Sequence, residues 1–230
     1  MSNLQDPSDK PDNYYNKSRN EMLCYVPEQS SRILDVGCGA GEFGNALKSR
    51  RQVEVWGVEL SQQAADEAQT KLDRVIVGSI DDTLPLPDGY FDCIVFNDVL
   101  EHLVNPWAVL NKIKAFIKPN GHVIASIPNV RYFENVKQLL IHKQWKYEDY
   151  GILDKTHLRF FTIASIKEMF ITCGYSVNTI EGINGKQFPW KLNLINIIMN
   201  NKLHDMKYLQ IACQATLNKL NGNPNLIFNK

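Results

Sequence analysis

The stretch from Ile33 to Gly44 constrains the fold of this chain more than any other part of the sequence. It reads ILDVGCGAGEFG, an apolar run that includes Asp35 and passes into four closely spaced glycines. Such a run is typical of a buried strand, and glycines directly after a strand permit a tight turn whose backbone approaches a nucleotide. The stretch therefore predicts a strand, a nucleotide-binding turn and a helix.

Two carboxylates indicate which kind of nucleotide this turn holds. The dinucleotide pattern G-x-G-x-x-G fits only from Gly39, whereas counting from the strand end at Gly37 places Glu42 where the third glycine should be. A carboxylate there would repel a diphosphate at a helix N-terminus, which otherwise favours anions. Asp35, inside the strand end, also suits a cation. These residues favour a nucleotide that carries a sulfonium and an ammonium.

Five segments of the chain resemble, in order, motifs of the class I S-adenosylmethionine-dependent methyltransferases. The resemblance spans about residues 14–180. It implies S-adenosylmethionine as cofactor and methyl transfer as the reaction. The segments are Asp35–Gly41 for the glycine turn, Val58–Ser61 for the second strand end, Leu84–Val95 for the approach to the fourth strand, Asn97–Leu103 after it, and Ile117–Val123 before the fifth.

Short apolar runs alternate with helical patterns, which predicts an α/β fold with a parallel sheet between two helical layers. The resemblance implies a Rossmann-like three-layer sandwich with a seven-stranded, mostly parallel sheet and an antiparallel last strand. The predicted strands are residues 32–36, 53–59, 74–77, 91–97, 122–126, 175–180 and 208–217. The predicted helices include 106–117, stopped by residues 119–121, a capped helix at 163–172, and 192–199.

The 230 residues are expected to form a single domain. Residues 1–13 are polar and predict a flexible tail, and residues 14–31 predict a helix that covers the cofactor. Residues 127–161 are aromatic and charged and break the strand–helix rhythm. Because insertions there lie at the carboxyl edge of the sheet, where open α/β folds bind ligands, we predict that they form a substrate lid.

Composition narrows the class of partner. The chain has 25 basic and 25 acidic side chains, so no overall field attracts nucleic acid, and we expect a small-molecule acceptor instead. We find no run long enough to span a membrane and no apolar core of a signal peptide near the N-terminus. The five cysteines lack C-x-x-C spacing, which fits free thiols in a reducing cytoplasm. The expected location is cytoplasmic.

The resemblance implies contacts to the methionine and ribose parts of the cofactor. Asp35 would reach the methionine amino acid, Glu59 would accept both ribose hydroxyls, and Leu60 would pack on the adenine face. Asn97 would end the fourth strand near the sulfonium. The turn residues that would let the backbone approach the cofactor are Gly37, Cys38, Gly39 and Gly41.

Two further regions are implied less directly. Ser79 stands where the family often has an Asp that binds the adenine amine, which leaves the Ile80 backbone or Asp81 for that contact. Tyr15 and Arg19 precede the first strand, in a segment that often folds over the cofactor. Arg19 could bind the methionine carboxylate, because a guanidinium binds carboxylates in a fork.

Asp98, Glu101 and His102 have the spacing of one helical face. The segment resembles a Glu-x-x-Glu-His stretch that ubiquinone O-methyltransferases use for a metal, with Asp98 in place of the first acid. A capping role explains the same residues without a metal, because Glu-His-Leu is common in methyltransferases that use none. We therefore predict no bound metal.

His157 is the candidate general base. It lies in Asp154-Lys155-Thr156-His157-Leu158-Arg159-Phe160-Phe161, which resembles a segment of methyltransferases associated with glycan synthesis. Histidine is the side chain best suited to accept a proton near neutral pH. In the competing interpretation, Asp154, His157 and Arg159 only hold the lid in place.

The leading hypothesis is methyl transfer to a hydroxyl of a sugar, a glycan precursor or a similar metabolite. The alternatives are methylation of a small-molecule nitrogen and a non-catalytic module that binds S-adenosylmethionine. An oxidoreductase is disfavoured by Glu42 and by the order of the later motifs.

Overall fold

The computed structural model describes residues 18–218, so Tyr15 and the whole predicted tail, residues 1–13, lie outside the described residues. Short 3-10 helices occur at Asn20–Tyr25, Leu100–His102, Ile113–Ala115 and His204–Lys207. The strands are β1 Arg32–Val36, β2 Glu54–Glu59, β3 Arg74–Val77, β4 Phe91–Asn97, β5 Ile117–Pro128, β6 Tyr175–Gly185 and β7 Tyr208–Leu217. The helices are α1 Glu42–Arg50, α2 Gln62–Ala68, α3 Pro106–Lys112, α4 Phe133–Leu140, α5 Ile163–Thr172 and α6 Trp190–Ile198.

The strands form one sheet in the order β3-β2-β1-β4-β5-β7-β6. Strands β1 to β5 are parallel, and β7 runs antiparallel to both β5 and β6. This confirms the predicted seven-stranded, mostly parallel sheet. The strand order reverses between β1 and β4, and ligands of open α/β sheets bind in the crevice beyond the carboxyl ends of the strands at such a point.

Neighbouring residues of the central strands point into opposite helical layers. Leu34, Ile94 and Val123 belong to one buried cluster, and Ile33 and Cys93 belong to the other. Because both faces of β1 and β4 are covered, the middle of each strand is apolar and the polar residues lie toward its ends. The predicted three-layer sandwich follows from this arrangement.

Helix α5 begins and ends as its sequence predicts. Thr162 and Ser165 form a reciprocal capping box, and Gly174, with φ 77°, follows the helix end. The predicted helix at 106–117 is wrong at its C-terminal end. The α-helix stops at Lys112, and β5 already begins at Ile117 because Ile117 pairs with Phe91 of β4. Residues 119–121 therefore lie within β5, where its register with β4 shifts, rather than in a helix stop.

The segment 127–161, predicted to be a lid, contains α4. Buried Asn129 fixes the start of the segment, because the side-chain Nδ2 of Asn129 donates to the carbonyls of Asp205 (2.9 Å) and Tyr208 (3.0 Å). Arg131 adds a two-pronged ion pair with Asp205 at 2.7 and 3.1 Å. Among the described residues, no helix is long and apolar enough to cross a membrane.

Candidate active site

The glycine turn after β1 requires backbone that other residues rarely adopt. Gly37, Gly39 and Gly41 have φ angles of 68°, 53° and 81°. A Cβ on Gly37 would also lie 2.6 Å from a methyl carbon of Val99. The amides of Gly37 and Cys38 donate to the carbonyl of Val58, at 2.7 and 3.2 Å, which ties the turn to β2. Glycine is therefore needed here for both conformation and space.

Glu59, at the end of β2, is held by backbone amides on both of its oxygens. Oε2 accepts from Gly39 N at 2.8 Å, and Oε1 accepts from Ser61 N at 2.9 Å. A carboxylate has about four lone-pair sites, so each oxygen keeps a site for a further donor. The geometry therefore fits a pair of vicinal hydroxyls such as those of a ribose.

Asp35 is a buried carboxyl that lacks a complete set of partners. Its side chain is only 1% exposed, and Oδ2 has no hydrogen-bond partner. Burial, together with the nearby charge of Glu59, raises the pKa of Asp35 to about 8. A buried polar atom without a partner is costly unless a ligand satisfies it. A cation at this position would supply both a donor and a compensating charge, whereas a diphosphate would be repelled.

Glu42 does not distinguish the two cofactor classes as the sequence suggested. Its carboxylate points to Lys71 Nζ at 2.7 Å, so its charge is offset within the protein. Gly44 is a packing residue, because a Cβ there would lie 2.5 Å from Leu72 and 2.8 Å from Val55. The discrimination against a dinucleotide therefore rests on Asp35.

Cys38 is not a nucleophile in this environment. Burial first, and then the charges of Asp35 and Glu59, raise the pKa of its thiol far above the ordinary value. A thiol must lose its proton to attack an electrophile. Cys38 is a small buried residue within the turn.

Asn97 ends β4 beside the glycine turn. Both polar atoms of its side chain are buried and have no hydrogen-bond partner. In the register of β1 and β4, Val36 pairs with Phe96, so Asn97 comes level with Gly37 one position further. Adjacent strands thus present incompletely satisfied polar groups, Asp35 and Asn97, at the switch point, and these groups fit the charged amino-acid end of a nucleoside cofactor.

The loop after β3 contains Ser79 and Ile80, which the sequence predicted to lie near the adenine. Ser79 Oγ accepts from Asp81 N at 3.3 Å, which stabilises the turn. Ile80 is buried, and its carbonyl accepts from Lys112 Nζ at 2.9 Å. Leu60 exposes more than half of its surface next to Glu59, as expected for a side chain that packs on a flat ligand.

Arg19 lies over the end of β4 and is engaged within the protein. It forms an ion pair with Asp98 and donates to Gln210 Oε1 at 3.2 Å. Asp98 has φ 55° and also accepts from Ser126 Oγ at 2.9 Å and Gln210 Nε2 at 2.5 Å. Arg19 could therefore bind the methionine carboxylate only if it shares or exchanges its contact with Asp98.

The structure brings Glu101, His102 and His157 together and places Asp98 in the separate network with Arg19. Ligand atoms of the three residues all lie within 4.8 Å of one another. Glu101 and His102 belong to the 3-10 helix after β4, and the amides of Leu158 and Arg159 donate to the Glu101 carbonyl at 2.9 and 3.0 Å. These backbone bonds dock the segment that carries His157 against the end of β4.

His157 is buried and its ring is oriented by the protein. Nδ1 lies 2.9 Å from the Ile152 carbonyl, and Nε2 lies 3.9 Å from Glu101 Oε1. Because a carbonyl can only accept, Nδ1 carries the proton of the neutral ring, and Nε2 keeps its lone pair. The His102 ring meets the His157 ring edge-on at a centroid distance of 4.6 Å. The protein thus fixes the orientation of the His157 ring, with Nε2 directed toward Glu101.

Glu101 was interpreted from sequence as a capping acid, but it faces His157. It is 1% exposed, and neither carboxyl oxygen has a hydrogen-bond partner. Burial is the main cause that raises the pKa of Glu101 to about 8. Two imidazoles and a carboxylate are also a donor set that suits a divalent transition metal. The sequence signal for this cluster was an acid flanked by apolar residues, Leu100 and Leu103, directly after a buried strand.

Comparisons with known proteins identify the family of the chain. Residues 11–180 match the family model described as a methyltransferase domain. An uncharacterized methyltransferase of Schizosaccharomyces pombe is 39% identical over 116 residues, which are 44% of this chain and 41% of that protein. A ubiquinone biosynthesis O-methyltransferase of Vibrio campbellii is 28% identical over 205 residues, covering 81% of this chain and 83% of that protein.

Solved structures share the fold at low sequence identity. A possible histamine N-methyltransferase of Thermotoga maritima has a TM-score of 0.63 at 19% identity and covers 89% of both chains. A complex of the Haloferax volcanii Trm112 methyltransferase activator with its methyltransferase has a TM-score of 0.62 at 18% identity and covers 90% of both. Since the family model covers most of the chain, the protein belongs to the methyltransferase domain family and is an S-adenosylmethionine-dependent methyltransferase.

Proposed function

We propose that this enzyme methylates a hydroxyl group of a small molecule, most simply a sugar, a glycan precursor or a similar hydroxylated metabolite. The observation that carries the proposal is the buried cluster of Glu101 and His157, in which an oriented imidazole faces a carboxyl group without other partners. An alcohol must lose its proton during methyl transfer, whereas a neutral amine need not be activated by a base. A built proton acceptor therefore favours oxygen over nitrogen.

The relatives support an oxygen acceptor without identifying it. One is named as a ubiquinone biosynthesis O-methyltransferase, and another, from Amycolatopsis mediterranei, is named as a 27-O-demethylrifamycin SV methyltransferase and is 28% identical over 102 residues. Their acceptors differ in size and shape. The preference for a sugar or glycan precursor rests on the segment from Asp154 to Phe161 alone.

The bound cofactor supplies a methyl group on a positively charged sulfur. Asp35, the glycine turn, Glu59 and Asn97 would bind and orient it, and Leu60 would cover the adenine. His157 Nε2 would take the proton of the acceptor hydroxyl as the methyl group is transferred. In its ionised form, Glu101 would stabilise the resulting imidazolium, because a nearby carboxylate favours the charged form of a histidine.

The test is the kinetics of His157→Gln with an accepted hydroxyl substrate. We expect kcat to fall about 10²- to 10⁴-fold, the usual contribution of a general base, while the affinity for S-adenosylmethionine stays the same. His142→Gln is the matched control, since His142 lies in the same lid but is exposed. Unchanged turnover in His157→Gln would remove this residue from the chemistry and leave it a structural role in the lid.

An amine acceptor, the alternative class, predicts a different dependence of the His157→Gln activity on pH. If the true acceptor is an amine, raising the pH deprotonates it, so the activity of His157→Gln should recover at high pH. An absence of turnover with any acceptor, despite cofactor binding, would favour a non-catalytic module. A cytoplasmic location and the absence of a nucleic-acid partner remain predictions from the sequence.

A further inference from the structure

Helix α6 exposes its apolar side chains and buries a polar one, which is the reverse of a helix that packs on a core. Its large apolar side chains face solvent, with Trp190 73% and Ile198 77% exposed, whereas its buried residue is Asn196 at 2%. The other exposed apolar residues of the helix and its end are Leu194, Ile195, Ile197 and Met199. A contiguous apolar surface of this kind on a folded protein indicates an interaction site.

The turn that follows α6 covers the Asn196 side of the helix. Asn196 Oδ1 accepts from Leu203 N at 2.8 Å, and the Asn196 carbonyl accepts from Asn201 N at 2.8 Å. Asn200 and Asn201 have φ angles of 54° and 61°, which turn the chain back under the helix. The buried side of α6 is thus tied to the turn that follows the helix, and the apolar side chains lie on the exposed side.

The stretch of sequence that carries this apolar face is rich in lysine, although the whole chain has no net charge. The stretch 186–207 contains Lys186, Lys191, Lys202 and Lys207 and a single acid, Asp205. Asp205 is already paired with Arg131. The face therefore combines exposed apolar side chains with a local excess of positive charge.

The tip of α4 adds further exposed apolar side chains. Leu139, Leu140 and Ile141 are exposed there, and Lys143 and Lys146 follow within five residues. The start of α4 contacts the segment that leads into α6, because the rings of Phe133 and Phe188 lie 6.1 Å apart. Both surfaces belong to the elements that extend from the carboxyl side of the sheet.

We propose that α6, supported by the tip of α4, docks on the surface of an anionic lipid bilayer. An interfacial helix of this kind places apolar side chains at the acyl boundary and lysines among anionic headgroups, and tryptophan prefers the same depth. Lys191 Nζ lies 5.6 Å from the Trp190 ring, so charge and aromatic ring meet at one position.

A second copy of the chain fits this face less well than a bilayer. Most homodimers are two-fold symmetric, so the same patch would meet itself and bring the same lysines together. The only acid of the stretch 186–207 already has a partner in Arg131. An anionic lipid surface neutralises these charges without requiring an acidic patch on the protein. The proposal goes beyond methyl transfer and does not depend on the acceptor.

The test is sedimentation of the full chain with vesicles of phosphatidylcholine alone or with about one third phosphatidylglycerol. We expect binding only to the anionic vesicles, weakening as salt is raised, because the lysine contribution is screened. Trp190→Ser with Ile198→Ser should reduce binding at least tenfold, and Lys191→Glu with Lys202→Glu should do the same. These side chains are exposed, so the variants should keep the thermal unfolding midpoint of the unchanged protein.

Ile171→Ser is the matched control, since Ile171 is an exposed apolar residue on α5, outside the proposed surface. It should bind vesicles as the unchanged protein does. The proposal is overturned if the unchanged protein ignores anionic vesicles, or if Trp190→Ser with Ile198→Ser binds them equally well. A dimer in solution that these two substitutions convert to a monomer, without any vesicle binding, would instead assign the face to a second copy.

Discussion

The raised pKa of Asp35 predicts that the affinity for S-adenosylmethionine depends on pH. Burial and Glu59 bring this pKa to about 8, so the free protein holds Asp35 mainly protonated at pH 7. A cationic ligand selects the ionised form. When only a fraction of the protein is competent to bind, the apparent Kd is the intrinsic value divided by that fraction. Cofactor binding should therefore be coupled to the loss of a proton from Asp35.

The size of the effect follows from the ionised fraction. That fraction is about 1% at pH 6, about 9% at pH 7 and about one half at pH 8 for a pKa of about 8. The apparent affinity should therefore rise about fifty-fold from pH 6 to pH 8, which corresponds to about 2.3 kcal/mol. Asp35→Asn cannot ionise, so its affinity should lack this rise.

Isothermal titration calorimetry in buffers of different ionisation enthalpy measures both the affinity and the released proton. At pH 7 we expect the unchanged protein to release about 0.9 proton more than Asp35→Asn. The amino group of the cofactor titrates too, but identically for both proteins, so their difference isolates Asp35. Asp92→Asn is the control, because Asp92 lies at the opposite edge of the sheet and is bonded to Ser31 and Lys118.

Parallel pH profiles for the unchanged protein and Asp35→Asn would refute the reasoning. Such a result would mean that Asp35 does not change its protonation when the cofactor binds. Glu59→Gln gives an independent check, since removing that charge should lower the pKa of Asp35 and move the rise in affinity to lower pH.

Three further predictions concern stability and are measured by chemical denaturation. The pKa of Glu101 is raised from 4.5 to about 8, so the folded state binds this proton more tightly than the unfolded state. The stabilising contribution of the bound proton is complete below pH 4.5 and is lost as the pH rises through 8. Glu101→Gln should therefore gain stability relative to the unchanged protein between pH 5 and 9, and a difference in free energy of unfolding that stays constant with pH would contradict this. Gly37→Ala should lose more stability than Gly89→Ala, which has a similar positive φ but open space around it, by about 1–3 kcal/mol from the clash with Val99, and equal losses would exclude the clash as the cause. Asn129→Ala should lose about 2–4 kcal/mol because buried backbone carbonyls lose their donor, and a loss below about 0.5 kcal/mol would show that water replaces the amide.

Local patterns in the sequence predicted most of the sheet and the position of the cofactor turn. The bounds of β1, β3, β4 and β7 follow directly from apolar runs that end at glycine, proline or polar residues. The helix beginning at Pro106 was predicted too long, because Ile113, Phe116 and Ile117 satisfy helical periodicity equally well as a 3-10 turn followed by a strand. Pairing of Ile117 with β4 decides between the two, and that contact is distant in sequence.

The sequence by itself predicted the family and the donor of the methyl group, because both depend on short motifs that occur in a fixed order along the chain. Only the tertiary structure decided which side chains share a site. In the folded chain Glu42 forms an ion pair with Lys71, Asp98 forms one with Arg19, and His157 lies next to Glu101, which is more than fifty residues away in sequence. Such pairs depend on where separate segments dock on the sheet, and the apolar face of α6 is recognisable only once Asn196 is seen to be the buried side.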